Sequence, residues 1–343
     1  MKTFYSDDHH LHFPKGEIYG GEFVQPFERP ARMDYVLDRL KEVGLTDIKG
    51  PVEIDMGPVN TIHDAGFLAF LETAYSEWKA AGFGGDVIGV SYPTRRMQQH
   101  RIPNYIDGKV GYYCLAMETA IIEGTWKAAL SSCAVAQSAQ KAVAAGDRAA
   151  FAMCRPPGHH ASSDQYGGYC FLNNAAITAQ MFRDDGAKRV AILDIDFHHG
   201  NGTQDIFYNR GDVLFCSLHG EPENAFPYFL GFADETGAGE GEGFNANYPM
   251  PEGTPYSVWS ASLADAIGRI RDYGAEALVV SLGVDTFKED PISFFKLESD
   301  DYLTCGNAIA GLNLPTAFIM EGGYAVEEVG TNTVNVLQGF LDA

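Results

Sequence analysis

Short apolar segments alternate along this chain with longer segments in which apolar residues recur every three or four positions. Six short apolar runs predict buried strands, at residues 3–5, 150–154, 190–195, 213–218, 277–284 and 317–320. Helical spacing predicts helices at about residues 31–43, 65–81, 117–145, 174–183, 204–208, 254–273 and 301–312. Because the strands are almost entirely apolar, the pattern is typical of a parallel sheet covered by helices on both faces.

Chemically active side chains follow five of these strands, at the points where the strands end. In chain order they are residues 155–160, residues 196–198, residues 217–219, Asp285 and residues 321–324. In an open parallel sheet, ligands bind outside the carboxyl ends of the strands. We therefore expect these side chains to form one site at that edge of the sheet.

Asp194, Asp196 and His198 alternate along the end of one strand, so their side chains are expected to share one face. Asp196 and His198, together with Asp285 from another strand end, form a predicted metal site. Zn²⁺ is the expected metal, and Fe²⁺ or Mn²⁺ also suits this donor set. The alternative is that Asp196 is a turn residue and Asp285 a helix N-cap, which is about as plausible for each residue taken alone.

Two adjacent histidines, His159 and His160, are the predicted general acid and base. Asp194 is a candidate to orient one of them as a carboxylate partner, and Asn201 to orient the other as a neutral partner. The alternative for the histidine pair is an ordinary polar loop. Tyr324 follows two glycines, and its hydroxyl is predicted to donate to a developing oxyanion. The alternative there is a half-buried tyrosine after a turn.

The composition restricts the partners of the chain, which has 343 residues and a formal net charge of −22. Phosphate binding needs clustered Lys and Arg, so this charge argues against a nucleic-acid partner. It would attract a cationic small molecule, although the charge alone favours a simpler role in solubility. No apolar run reaches membrane-spanning length, and the first residues show no signal peptide, so neither a membrane partner nor export is expected.

Six scattered cysteines without a C-x-x-C pair are typical of a reduced, cytoplasmic protein with buried thiols. We find no internal repeat and no linker, which indicates a single domain over residues 1–343. Within it, residues 78–112 have weak periodicity and many Gly, Pro, Arg and Tyr residues. A segment this long is typical of a functional or interface-forming insertion, and the alternative is a plain surface insertion.

Five motifs carry a family resemblance: R-P-P-G-H-H (155–160), D-x-D-x-H-H-G-N-G (194–202), S-L-H (217–219), G-x-D (283–285) and G-G-Y (322–324). In this order they resemble the histone deacetylase superfamily and, within it, the bacterial acetylpolyamine amidohydrolases. The resemblance spans nearly the whole chain. It implies a three-layer α/β/α arginase–deacetylase fold with an eight-stranded parallel sheet, and a Zn²⁺-dependent amide hydrolysis that releases acetate.

The resemblance also implies roles for individual residues. The implied zinc ligands are Asp196, His198 and Asp285. The implied catalytic residues are His160, His159 with Asp194, and Tyr324. The implied positions that hold a structural K⁺ are Asp194, Asp196, His198, Ser217 and Leu218. Asn201 departs from the aspartate of many eukaryotic members, which suggests a different basicity for His160.

In the polyamine-type enzymes, an insertion such as residues 78–112 builds a homodimer interface that narrows the mouth of the active site. A narrow mouth would exclude a protein tail and admit a slender cation. Tyr169 and Phe226 resemble the aromatic walls of the acyl tunnel. Asp107 and Glu118 are candidates for contact with a substrate ammonium group, and solvated surface carboxylates are the alternative for each.

The leading hypothesis is the removal of acetyl groups from acetylputrescine, acetylcadaverine or acetylspermidine. One alternative is an acetyl-lysine protein deacetylase of the same superfamily. A ureohydrolase would need ligands for a second metal ion, which the sequence does not supply. A non-catalytic acetyl-ligand sensor would tolerate loss of the metal ligands, the histidine pair or the tyrosine, and all of these are present.

Overall fold

A computed structural model describes all 343 residues of the chain. The strands are β1 (Lys2–Phe4), β2 (Glu17–Tyr19), β3 (Glu22–Val24), β4 (Ile48–Lys49), β5 (Ala149–Ala152), β6 (Val190–Asp194), β7 (Val213–Gly220), β8 (Asn245–Met250), β9 (Ala277–Leu282) and β10 (Thr316–Met320). The helices are α1 (Ala31–Glu42), α2 (Met56–Ile62), α3 (Ala65–Ala80), α4 (Ile106–Tyr113), α5 (Thr125–Ala144), α6 (Asn174–Asp184), α7 (Asn201–Phe207), α8 (Tyr256–Tyr273), α9 (Ser299–Ala310) and α10 (Glu328–Leu341).

Eight strands form one parallel sheet in the order β4-β1-β5-β10-β9-β6-β7-β8, and β2 and β3 form a separate antiparallel hairpin. The predicted eight-stranded parallel sheet is confirmed. Five adjacent strands, β5, β10, β9, β6 and β7, are the strands that the chemically active side chains follow. This sheet order therefore brings segments far apart in sequence to neighbouring positions at one edge.

Apolar residues pack on both faces of the sheet, which gives the three layers. Along β6, Val190 and Ile192 face a core built with α3, α5 and α6. Ala191 and Leu193 face the opposite core, built with α1, α8, α9 and α10. Each strand thus buries both of its faces, which explains why the strands are apolar at nearly every position.

The sequence patterns missed several elements and misplaced one helix end. The strands β2, β3, β4 and β8 and the helices α2, α4 and α10 were not predicted from periodicity. The helix predicted from residue 117 begins at Thr125, because Ile121 lies in an extended segment that pairs with Val87. None of the helices has both the length and the apolar character needed to cross a membrane.

Two glycines allow α9 and α10 to pack closely. A Cβ atom placed on Gly339 would lie 1.9 Å from the carbonyl oxygen of Leu303, and one placed on Gly306 would lie 2.0 Å from that of Val336. Backbone atoms cannot move aside as a flexible side chain can. The two helices must therefore separate if either glycine gains a side chain.

We predict that Gly339→Ala lowers the free energy of unfolding by about 1–3 kcal/mol, because the added methyl group overpacks this helix contact. The matched control is Gly268→Ala in α8, where an added Cβ meets nothing within 4 Å. That substitution should raise stability by up to about 1 kcal/mol through helix propensity alone. Urea denaturation measures the free energy of unfolding of both variants. Equal changes in this free energy would contradict the close packing of α9 and α10.

Candidate active site

A cavity of about 390 Å³ opens at the carboxyl edge of the sheet. Three predicted active-site residues, His160, His198 and Tyr324, line this cavity. The predicted wall residues Tyr169 and Phe226 and the carboxylate residue Glu118 line it as well. The strand ends therefore bring these residues to one concave site, as the sequence predicted for most of them.

Asp196, His198 and Asp285 lie together at the ends of β6 and β9. One potential ligand atom from each residue lies within 4.8 Å of those of the other two, and all three residues are buried. Burial and the charge of Asp196 raise the pKa of Asp285 to about 8. Two buried carboxylates with one imidazole are an appropriate donor set for a divalent metal such as Zn²⁺, whose charge would offset their repulsion.

The backbone at Gly322 leaves room at this donor set. A Cβ atom at this position would lie 2.6 Å from Oδ2 of Asp196, 2.7 Å from Oδ2 of Asp285 and 3.2 Å from the hydroxyl of Tyr324. Only glycine fits there without displacing these oxygens. The same distances show that the phenol and both carboxylates border one small space.

The two adjacent histidines have different partners. Nδ1 of His159 lies 3.0 Å from Oδ2 of Asp194, and Nδ1 of His160 lies 2.6 Å from Oδ1 of Asn201. An amide oxygen can only accept a hydrogen bond, so we assign the proton of neutral His160 to Nδ1. This tautomer leaves Nε2 of His160 free to accept a proton.

The partners separate the proton affinities of the two rings. Burial alone would lower the pKa of His159, but the charges of Asp196 and Asp194 raise it to about 10. Burial and the nearby charges of His159 and His198 hold the pKa of His160 well below its usual range. The site therefore places a neutral base beside a cationic imidazole, with the two ring centres 4.1 Å apart.

Tyr324 presents its phenol to the cavity. The hydroxyl makes no hydrogen bond within the protein, and burial holds the pKa of Tyr324 well above its usual range. The ring packs edge to face against Tyr169, with centroids 5.7 Å apart, and the guanidinium of Arg32 lies 5.0 Å from its centroid. A neutral phenol without a protein partner is available to donate to a ligand oxygen.

Two carboxylates line the walls of the cavity. Glu17 of the β2–β3 hairpin accepts a hydrogen bond from the Tyr169 hydroxyl at 2.9 Å, and burial raises its pKa to about 7. Glu118 accepts from the backbone N–H of Gly168 at 2.8 Å and from the Thr119 hydroxyl. Neither of these contacts involves a Lys or Arg, so both carboxylates are available to a cationic ligand.

The structure separates some of the predicted residues from the cavity. Asp107 lies in α4, where its carboxylate accepts from the backbone N–H of Val90 at 3.3 Å, and it does not line the cavity of a single chain. Asp194, the last residue of β6, is the register partner of Ser217 within β7, so two of the predicted K⁺ positions are adjacent across these strands.

Sequence reasoning gave no role to three residues that support the site. Glu321 accepts from the backbone N–H groups of Gly158 and His159, and burial raises its pKa to about 7. Glu17 lies on a short hairpin, and the sequence of this hairpin has no alternation of apolar and polar residues that would predict it. Asp290, which contacts the Tyr324 backbone, lies in a loop five residues after Asp285. The position of Glu321 directly after a predicted strand was the one signal available.

The chain is similar over nearly its whole length to known proteins. The sequence family described as histone deacetylase domain matches residues 26–340. The chain is 58% identical over 339 residues to the acetylpolyamine amidohydrolase of Mycoplana ramosa, with 99% of both chains covered. It is 56% identical over 340 residues to acetylpolyamine amidohydrolase 2 of Pseudomonas aeruginosa, with 99% of this chain and 98% of that protein covered. The crystal structure of acetylpolyamine aminohydrolase from Burkholderia pseudomallei superposes with a TM-score of 0.94 at 38% identity, covering 99% of this chain and 98% of that one.

The contact between Asn201 and His160 predicts a pH effect. In Asn201→Asp, a carboxylate beside the ring would raise the pKa of His160 by about 1–3 units. Since the base must be neutral to accept a proton, the acid limb of the kcat/KM profile should move to higher pH by a similar amount. The control is Asn209→Asp, which adds the same charge at an exposed position. An unchanged acid limb in Asn201→Asp would show that His160 is not the titrating base.

Proposed function

Because the chain belongs to the histone deacetylase family, we propose that it removes acetyl groups from N-acetylated polyamines and releases acetate and the free amine. Acetylputrescine, acetylcadaverine and acetylspermidine are the proposed substrates. The observation that carries the proposal is one cavity that joins His160, His198 and Tyr324 to the wall carboxylates Glu17 and Glu118. Full-length similarity to proteins named acetylpolyamine amidohydrolases supports the same substrate class.

Asp196, His198 and Asp285 are the proposed ligands of the metal on which this family depends. Zn²⁺ is the proposed metal, and Fe²⁺ and Mn²⁺ also suit two carboxylates and one imidazole. When bound, the metal would polarise the acetamide carbonyl and lower the pKa of a water molecule. We also propose a structural K⁺ near Asp194 and Ser217, where the ends of β6 and β7 meet.

The protein residues supply the proton transfers and the charge stabilisation. Neutral His160 takes a proton on Nε2 from the water that attacks the acetamide carbon. The phenol of Tyr324 donates a hydrogen bond to the oxyanion as the carbonyl bond becomes single, and cationic His159 adds a nearby positive charge. Protonated His160 then gives its proton to the leaving nitrogen as the carbon–nitrogen bond breaks. The products are acetate and the amine, and His160 returns to its neutral form.

The cavity walls favour a slender cationic substrate. The aromatic rings of Tyr169 and Phe226 line the cavity, and the ring of Phe226 lies 5.1 Å from that of His160. Glu17 and Glu118 would pair with ammonium groups of the polyamine once these have displaced water. The net charge of −22 would also attract a polycation toward the protein.

We propose that the chain forms a homodimer through its insertion at residues 78–112. This segment exposes apolar side chains, with Val90 80%, Met97 54% and Ile102 49% exposed. Exposed apolar residues concentrated on one segment are typical of an interface. Asp107 lies in the same segment and does not line the cavity of its own chain, so any contact of this carboxylate with a substrate is proposed for the cavity of the second copy. Six buried cysteines without a disulfide agree with the proposed cytoplasmic location.

Acetate release tests the substrate assignment. We predict that the metal-loaded protein has at least a roughly tenfold higher kcat/KM for acetylputrescine than for an acetyl-lysine peptide, because the wall carboxylates favour a slender cation. In Glu118→Gln, the KM for acetylputrescine should rise about tenfold through loss of a charge-assisted contact. Turnover of neutral N-butylacetamide should be unchanged in this variant.

The control is Glu123→Gln, which removes an exposed carboxylate five residues further along the chain and should affect neither substrate. If Glu118→Gln lost the same fraction of kcat/KM on acetylputrescine as on N-butylacetamide, Glu118 would have only a structural role. Preference for the acetyl-lysine peptide would favour a protein deacetylase instead.

A further inference from the structure

The catalytic phenol is carried by a turn whose backbone needs external support. Tyr324 follows Gly322 and Gly323, and Gly323 has a φ of +129°, a conformation that side-chain-bearing residues rarely adopt. Since the hydroxyl of Tyr324 has no protein partner, its position depends on the backbone that carries the ring. The hydrogen bonds of this turn, together with the packing of the ring against Tyr169 and Arg32, therefore fix where the phenol lies.

Asp290 holds the N–H side of the turn. Its Oδ2 accepts from the backbone N–H of Tyr324 at 2.7 Å and from that of Ala325 at 3.3 Å. Its Oδ1 accepts from the backbone N–H of Ile292 at 3.1 Å, and Ile292 lines the cavity. Asp290 is only 6% exposed, so water cannot readily replace these contacts. One carboxylate thus links the catalytic tyrosine to a wall of the substrate cavity.

Other groups form hydrogen bonds with two carbonyl oxygens and one further N–H group of the turn. Arg32 donates to the carbonyl oxygens of Glu321 and Gly323. The N–H of Gly322 donates to Oδ2 of Asp196 at 2.8 Å. No second acceptor serves the N–H of Tyr324, so the contact with Asp290 has no substitute.

We propose that Asp290 is a positioning residue that fixes the Tyr324 hydroxyl over the space between Asp196 and Asp285. The proposal rests on the proposed function in so far as Tyr324 stabilises the oxyanion of an amide substrate. Asp290 does not line the cavity and its carboxylate makes no hydrogen bond to Asp196, His198 or Asp285, so in this proposal it acts through the backbone of Tyr324. Its loss should therefore lower kcat while substrate binding by the wall carboxylates continues.

The test is a double-mutant cycle with Asp290→Asn, Tyr324→Phe and the double variant. Asn has nearly the same shape as Asp, but its NH₂ group cannot accept, so one amide orientation loses the contacts with Tyr324 and Ala325 and the other loses only that with Ile292. Asp290→Ser is therefore run through the same cycle, because it removes both carboxylate oxygens. Tyr324→Phe should lower kcat about 10²–10³-fold through loss of an oxyanion donor. Asp290→Asn should lower kcat about 10–100-fold, with a KM change below about threefold, because small misplacement of a catalytic group is costly.

In the Tyr324→Phe background, Asp290→Asn should cost less than about threefold, because the hydroxyl it positions is already absent. Full additivity of the two losses, or an unchanged kcat in both Asp290→Asn and Asp290→Ser, would overturn the proposal. All variants are compared at equal metal content and after circular dichroism shows native folding. If Asp290→Asn does not fold, the cycle with Asp290→Ser tests the proposal by itself.

The matched control is Asp64→Asn at the start of α3. One oxygen of Asp64 also accepts from two backbone N–H groups, those of Gly66 at 2.8 Å and Phe67 at 3.1 Å. Asn can place one oxygen at the same point and caps helices about as well as Asp, so this variant should change neither stability nor kcat appreciably. If the wild-type protein prefers an acetyl-lysine peptide, the cycle is run on that peptide. The polyamine assignment would then fail while the role of Asp290 is still tested.

Discussion

The structure depends on how it accommodates buried negative charge at the carboxyl edge of the sheet. Asp194, Asp196 and Asp285 are fully buried on neighbouring strands. Buried carboxylates are costly unless cations and hydrogen-bond donors surround them. His159 pairs with Asp194, backbone N–H groups approach the carboxylates, and a divalent metal would offset the charge of the other two. The position of the site follows from this requirement.

The same buried charges give the two adjacent histidines different pKa values. Against the effect of burial, the charges of Asp196 and Asp194 raise the pKa of His159. Burial and the charges of His159 and His198 lower the pKa of His160, which is therefore neutral and able to take a proton. Both rings come from one short segment after β5. The difference between their pKa values therefore arises from the groups that surround each ring, including those at the end of β6 and at the start of α7. Two adjacent residues of the same type therefore acquire different pKa values from their surroundings.

Much of the fold and most of the site could be predicted from the sequence, because continuous apolar strands and the residues that follow them leave a clear local pattern. Several of the missed elements lack such a pattern, whereas α10 has apolar residues at helical spacing and was overlooked. β4 has two residues, and in β8 Asn245 and Asn247 interrupt the apolar run. Glu17 and Asp290 contact the site only through the folded chain, so no local spacing marks them.

The most direct test of the central claim is metal binding measured together with acetate release on the same samples. Stepwise addition of Zn²⁺ to the metal-free protein should give one tightly bound equivalent per chain, higher thermal stability and activity in proportion to occupancy. Asp285→Asn should lose the bound equivalent and the stabilisation while remaining folded. Full turnover by the metal-free protein, or unchanged Zn²⁺ binding by Asp285→Asn, would contradict the account.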